Sequence, residues 1–232
     1  MKGSLPFRKI FPRTFLMIIL LTASVFPLKA QDQYSWFFSG SMFFFPEDNG
    51  NGSDPMPILP GPGAGVSMAL PFSFPLRLEI ALDMYFGVYG YNFYLNRAVP
   101  RAWENRSALV WGSVLGTQGS LFFNPGKSIT IRAFGGLTAD LRLVLLAPDL
   151  NEALNPMNEI RRENAALTEY FWSSGRWFFP VVGAGVDFTL NKKFKLGLDI
   201  RVWIPAYKAW TNEDLPPIEG WRFGIGARIT PL

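Results

Sequence analysis

Residues 194–204 alternate in character along an extended chain: Phe194, Leu196, Leu198, Ile200, Val202 and Ile204 fall on one side, Lys195, Asp199 and Arg201 on the other. Successive side chains of a strand point to opposite faces, so this segment divides an apolar surrounding from a charged one. Residues 76–86 do the same, with Leu76, Leu78, Ile80, Leu82, Met84 and Phe86 opposite Arg77, Glu79 and Asp83. A single strand of this kind suits any half-buried sheet. Several of them, joined by connectors of alternating length, predict a barrel that turns its apolar side to lipid.

Turn and loop signals mark strands near 33–45, 62–72, 76–92, 107–122, 128–145, 176–190, 194–207 and 220–230. The connectors run long, short, long: Pro46–Pro60, Ser73–Pro75, Leu95–Arg106, Asn124–Lys127, Leu146–Gly175, Asn191–Lys193 and Lys208–Glu219. That rhythm fits a barrel with one rim at the cell surface and the other at the periplasm, both chain ends lying at the latter. The expected fold is all-β: a single transmembrane antiparallel β-barrel of about eight strands, with a short helix in the third surface loop. About eleven residues at about 3.3 Å rise, tilted by about 40°, cover roughly 27 Å, near the apolar band of such barrels. The fourth strand lacks clean alternation, and Gly112, Gly116 and Gly119 suggest a bulge there. Pro180 and Pro205 interrupt two strands, which places them near the outer rim where pairing ends.

The leader changes the charge argument. Lys2, Arg8, Lys9 and Arg13 precede an apolar run from Phe15 to Val25, and Ala30 closes a cleavage-like segment, so residues 1–30 read as a secretory signal peptide and 31–232 as the barrel domain. That run is too short to span a bilayer. Five of the 22 basic residues lie in the leader, which leaves 17 against 18 acidic ones and no case for nucleic acid as a partner. The chain has no cysteine, hence no disulfide and no lipid-modified mature N-terminus.

If the large apolar residues face lipid, the lumen receives Arg77, Glu79, Asp83, Arg132, Asp140, Arg142, Asp187, Lys195, Asp199, Arg201, Arg222 and Arg228. Turning one base toward the mid-bilayer would cost about 2–4 kcal/mol, which fixes the register. An eight-stranded barrel is just wide enough for side chains to fill, so these charges form either a salt-bridged plug or a selective constriction. Gly63 and Gly65, Gly183 and Gly185, and Gly224 and Gly226 recur two apart, which leaves room inside for long arginines opposite. Gly61-Pro62-Gly63-Ala64-Gly65 lacks the spacing of a nucleotide-binding loop.

Aromatic residues gather where strands meet connectors. Tyr34, Trp36, Phe44, Tyr91, Tyr94, Trp177, Phe178, Tyr207, Trp210 and Trp221 are the expected interfacial girdle, with Phe43, Phe45 and Phe179 placed at the outer rim beside them. A soluble β core would also collect such rings, and a periplasmic sandwich is the competing architecture.

Catalysis finds little support. Glu79 and Asp83 lie about 13 Å apart by strand rise, too far for a glycosidase pair. No histidine exists to act as a base, and neither histidine nor cysteine is present to hold a metal, so neither enzyme activity nor a cofactor is expected. The longest connector carries a helix signal, Asn155-Pro156 with Glu159, and a partial apolar stripe of Met157, Ile160 and Leu167. It reads as a solvated lid over the mouth or as a recognition surface.

The closing strand, Gly220-Trp221-Arg222-Phe223-Gly224-Ile225-Gly226-Ala227-Arg228-Ile229, resembles the last strand that small outer-membrane barrels of diderm bacteria present to the barrel-assembly machinery. Among these the mature chain is most similar to the outer membrane protein W family, although it ends Thr230-Pro231-Leu232 without the usual terminal aromatic. The resemblance implies an integral protein of the bacterial outer membrane, with membrane lipid as its surrounding partner. It further implies a narrow passive channel for small, hydrophobic molecules that leave sideways into the membrane. Other barrels of this size act as adhesins or structural anchors, with a shut lumen and loops that meet a host ligand.

Overall fold

The computed structural model describes residues 34–46, 58–70, 75–94, 103–126, 128–146, 156–211 and 220–232. The expected leader lies outside them, as do most of the first, second and fourth long connectors and the first part of the third.

Eight strands form one closed antiparallel barrel: β1 (Tyr34–Phe44), β2 (Leu59–Ala69), β3 (Leu76–Tyr94), β4 (Trp103–Phe123), β5 (Ile129–Leu146), β6 (Phe178–Thr189), β7 (Phe194–Trp203) and β8 (Arg222–Pro231). Each pairs with its sequence neighbour, and β8 closes onto β1 from Phe38↔Ile229 to Phe44↔Phe223. Closure leaves no strand edge in need of a partner. Among the described residues, one helix, α1 (Pro156–Trp172), stands between β5 and β6, and one 3-10 turn, Ala206–Ala209, follows β7.

The alternation is realised on every strand. On β8, Phe223, Ile225, Ala227 and Ile229 are exposed, while Arg222, Gly224, Gly226 and Arg228 are buried. On β7, Leu198 and Ile200 are 52% and 59% exposed, whereas Asp199 and Arg201 between and beside them are 3% and 6% exposed. The outward set also includes Phe38, Met42, Leu82, Phe86, Trp111, Ile131, Leu137, Val182 and Phe188. The inside of the barrel is therefore charged and the outside greasy, the reverse of a water-soluble fold.

Three expectations change. β4 carries no bulge: it pairs residue for residue with β3 from Tyr94↔Trp103 to Leu76↔Leu121, and with β5 from Ala108↔Leu146 to Phe123↔Ile131. Its glycines answer neighbours instead, Gly112 lying opposite Tyr85 and Gly119 opposite Gly135. β2 begins at Leu59, three residues before the expected start, and so takes in Pro60 from the connector as well as Pro62. Both prolines point outward, where each costs a ladder donor but displaces no interior side chain. β7 stops at Trp203, and Pro205 turns the chain into the 3-10 segment, which swings Tyr207 inward. Pro180, by contrast, stays within β6 opposite Leu137, and its carbonyl accepts from Ile204 N–H at 2.9 Å.

Candidate functional site

The twelve charged residues placed in the lumen by their alternation all lie inside the barrel, ten of them buried and Arg77 and Lys195 half-buried. They sort into layers along the axis.

The middle layer is a cross-braced ion-pair network. Arg132 on β5 holds Glu79 on β3 with one terminal nitrogen at 3.1 Å and Asp199 on β7 with the other at 3.0 Å. Arg201 on β7 pairs with Asp199 at 2.9 Å and with Asp83 on β3. Arg228 on β8 reaches the other oxygen of Glu79 at 2.8 Å. Gln118 and Ser120 on β4 donate to Glu79 at 2.8 Å each, so four donors hold one carboxylate. Glu79 is 0% and Arg132 1% exposed. Charges buried this deeply persist only when paired and hydrogen-bonded, a condition this network meets. Glu79 and Asp83 are thus held by arginines, not free to act as an acid pair.

Toward the long connectors lies a second layer. Asp140 on β5 pairs with Arg222 on β8 and with Arg142 on its own strand at 3.2 Å, and Tyr85 donates its hydroxyl to Asp140 at 3.1 Å. Above it the interior turns aromatic. Phe43, Phe45, Tyr85, Phe179, Trp203 and Tyr207 pack with Val110, Val114 and Val144, and α1 adds Leu167, Tyr170 and Phe171. The guanidinium of Arg222 stacks 4.2 Å from the Phe179 ring centre, and that of Arg142 4.6 Å from Phe171. Arg142 also donates to the Arg176 carbonyl at 2.6 Å, which ties the turn after α1 to the barrel wall.

α1 is therefore no solvated lid. It runs from Pro156 to Trp172, longer than its sequence signal, and its second half seats Leu167, Tyr170 and Phe171 in the aromatic cluster. Arg161, Arg162 and Trp172 are exposed on it. Asn155 and the side chains of Met157 and Ile160 lie outside the described set.

The aromatic girdle is corrected in part. Trp36, Trp210 and Trp221 are exposed, and Tyr34, Phe44, Trp177 and Phe178 are partly so. Tyr207 is 0% exposed and stacks edge-on with Phe179 at 6.0 Å, so it belongs to the plug and not to a girdle. Phe43, Phe45 and Phe179 likewise face inward, because they hold the inward parity of their strands. The side chains of Tyr91 and Tyr94 lie outside the described set.

The paired glycines also answer different neighbours than expected. A Cβ at Gly65 would strike the Phe37 ring, one at Gly183 the Phe134 ring, and one at Gly224 Trp203. Arginine is the neighbour only at Gly185, where Arg132 would come within 3.1 Å. Tyr85 and Trp203, missed as interior residues, share parity with Asp83 and Arg201. Extending those columns by one further step would have found them. Arg176 sits in a turn, where no periodicity points to it.

Toward the chain ends the network gives way to a small cavity of about 50 Å³. Ser35, Ser67, Arg77, Phe122, Asp187, Lys195, Arg228 and Thr230 line it.

No protein-family model matches the chain, and no curated protein sequence does. Among solved structures the fold is similar to that of Neisserial surface protein A, with a TM-score of 0.47 and 10% identity over 85% of this chain and 96% of that one. It is also similar to the N-terminal β-barrel domain of Pseudomonas aeruginosa OprF, with a TM-score of 0.43 and 11% identity over 86% and 98% of the two chains. Ail, the attachment invasion locus protein of Yersinia pestis, aligns with a TM-score of 0.43 and 6% identity over 86% and 96%.

Proposed function

We propose that the chain is an integral barrel of a bacterial outer membrane, exported behind residues 1–30, whose role is to anchor and display its long-connector end. Its lumen does not conduct solute. The observation that carries this reading is the filled interior: arginines bridge opposite walls in the middle layer, and an aromatic plug with the inner half of α1 closes the layer above. An apolar exterior on every strand supports lipid as the surroundings.

Strand length supports display. β3 and β4, of 19 and 21 residues, reach roughly 50 Å along the axis at about 3.3 Å rise and about 40° tilt, well beyond a roughly 25 Å apolar band. β7 and β8, of 10 residues each, only match it. The β3–β4 hairpin thus stands clear of the membrane as a wall able to carry a recognition surface. Passive passage of small hydrophobic molecules, as in W-type barrels, is the competing reading, and the filled interior weighs against it.

Planar-bilayer recording of the refolded mature protein tests the choice. A trace without conductance steps above the lipid baseline supports an anchored display protein. Reproducible steps, or faster uptake of apolar probes into proteoliposomes, would give the lumen back to transport.

A further inference from the structure

The three longest strands rise past their neighbours as a wall. Pairing of β5 with β6 ends at Ala139↔Phe178, and β2 begins at Leu59, whose side chain lies beside Gly87 of β3. Beyond those points β3 and β4 pair on to Tyr94↔Trp103, and β4 and β5 to Ala108↔Leu146. The sequence changes character there. Lower down, β5 alternates, turning Thr130, Arg132, Thr138, Asp140 and Arg142 inward. Higher up it reads Leu143-Val144-Leu145-Leu146, and the facing part of β4 reads Ala108-Leu109-Val110-Trp111. Such continuous apolar runs belong to strands covered on both faces.

The inner cover is α1. Val110 and Val144 are buried in the aromatic cluster together with its Leu167, Tyr170 and Phe171. On the outer side Phe86, Leu109, Trp111, Leu143 and Leu145 are between 38% and 55% exposed. They form two adjoining rows, because Phe86 pairs with Trp111, Trp111 with Leu143, and Leu109 with Leu145. Lipid does not account for this face. Leu143 and Leu145 stand four and six residues past Ala139, roughly 10 and 15 Å higher at about 3.3 Å rise and about 40° tilt. By that height β6, β7 and β8, the strands that fit the apolar band, have ended. Beyond the band the outer face of a strand meets headgroups and water.

Size and position select the occupant. The five side chains expose on the order of 400 Å² together, about half of what each partner buries in a stable interface. A soluble protein resting on the wall alone falls short of that. A second barrel does not, because it continues down the same strands onto the exposed Leu82 and Leu137. Contact inside the band only exchanges lipid for protein, so the gain comes from the wall, where association removes water. All copies insert in one direction, so a two-fold axis along the membrane normal brings identical rows together at equal height. We propose that the outer face of the β3–β5 wall joins two copies of this chain in the membrane, with Trp111 and Leu143 at the centre of the contact. The inference rests on the reading of an anchored barrel with a projecting wall, and adds what that wall meets.

Energy transfer between copies of the refolded mature protein, in phospholipid vesicles at high lipid excess, tests the pairing. The chain has no cysteine, so Ser113→Cys and Ile225→Cys each give a single dye site. The first lies beside Trp111 on the outer face of β4, the second on β8 at the opposite side of the closed sheet. Donor- and acceptor-labelled copies should show strong transfer from position 113 and weak transfer from position 225. Trp111→Asn with Leu143→Asn should weaken association about tenfold or more, the effect of removing anchors from the centre of an interface. Ile225→Ala should change nothing. Heat-dependent gel mobility shows that each variant retains the barrel. Equal transfer from both positions, or association unchanged by the Trp111 and Leu143 substitutions, would overturn the pairing. So would absence of transfer, and a nitroxide at position 113 would then name the true cover. Relaxation by oxygen would mean lipid, shielding from oxygen and nickel the chain's own connectors, and relaxation by nickel a face left open to a soluble partner. Planar-bilayer conductance decides the anchor reading separately, so the two fail independently.

Discussion

Arg201 on β7 and Asp83 on β3 form an ion pair across the full width of the barrel, since these strands stand opposite one another in the closed sheet. The pair joins residues 118 positions apart in sequence and pins two walls that share no backbone hydrogen bond.

Removing one member should therefore cost more than removing both. Arg201→Met leaves the Asp83 carboxylate buried without its cation, a loss of about 3–5 kcal/mol for a buried pair broken on one side. The double variant Arg201→Met with Asp83→Asn removes the stranded charge and should recover part of that loss. Equilibrium urea unfolding in phospholipid vesicles, analysed as a double-mutant cycle, measures the coupling. Additive effects would show that the two side chains do not sense each other.

Leu198 and Asp199 face opposite surroundings at 52% and 3% exposure. The sequence contains no cysteine, so Leu198→Cys gives a single labelling site. A nitroxide there should relax strongly with dissolved oxygen, which concentrates in acyl chains, and weakly with a water-soluble nickel complex. Leu198→Lys should destabilise the barrel in bilayers by about 2–4 kcal/mol. A label relaxed chiefly by nickel would place this strand in water and end the membrane reading.

Most of the fold could be read from the chain because a strand has period two. Once Arg77, Glu79 and Asp83 fix which parity of β3 faces inward, the closed sheet fixes the parity of its neighbours, and all twelve lumen charges follow. What could not be read lay where that period ends. Sequence position alone puts Tyr207 with the rim, because Pro205 gives no sign that the chain next turns inward. The aromatic plug was missed because phenylalanine and tryptophan suit lipid and protein interior equally well, and composition cannot tell the two apart. The cavity at the mouth depends on how far Arg77, Lys195 and Arg228 reach, which no spacing rule supplies.

The seat of α1 predicts a local opening distinct from unfolding. Leu167 is 0% exposed, and with Tyr170 and Phe171 it fastens the helix to the barrel mouth, while Arg161 and Arg162 lie exposed one to two turns earlier. Leu167→Ala should loosen that half of α1 and speed tryptic cleavage after Arg161 and Arg162 several-fold, with the heat-dependent gel shift of the barrel intact. An unchanged cleavage rate would mean that the helix is held by contacts other than this one.

The strictest test of the interior packing lies at Tyr85 and Gly112, which face each other across β3 and β4. The tyrosine ring lies over the glycine, in space a Cβ would occupy, so the smallest possible addition forces a fully buried ring to move. That ring is fixed elsewhere too, donating to Asp140 and lying 5.1 Å from the Phe43 ring centre. Gly112→Ala should therefore cost about 1–3 kcal/mol, the usual range for overpacking a filled core. Gly40, on the outer face of β1, meets nothing within 4 Å of its ideal Cβ and does not adopt a positive φ. Gly40→Ala should be neutral or stabilising by up to about 1 kcal/mol, because alanine restricts the unfolded chain without straining the folded one. If the first cost arises from the ring, it should shrink in a Tyr85→Ala background, where the added methyl enters vacated space. Equal costs for Gly112→Ala in the two backgrounds would show that backbone flexibility at β4, and not the tyrosine, requires glycine there.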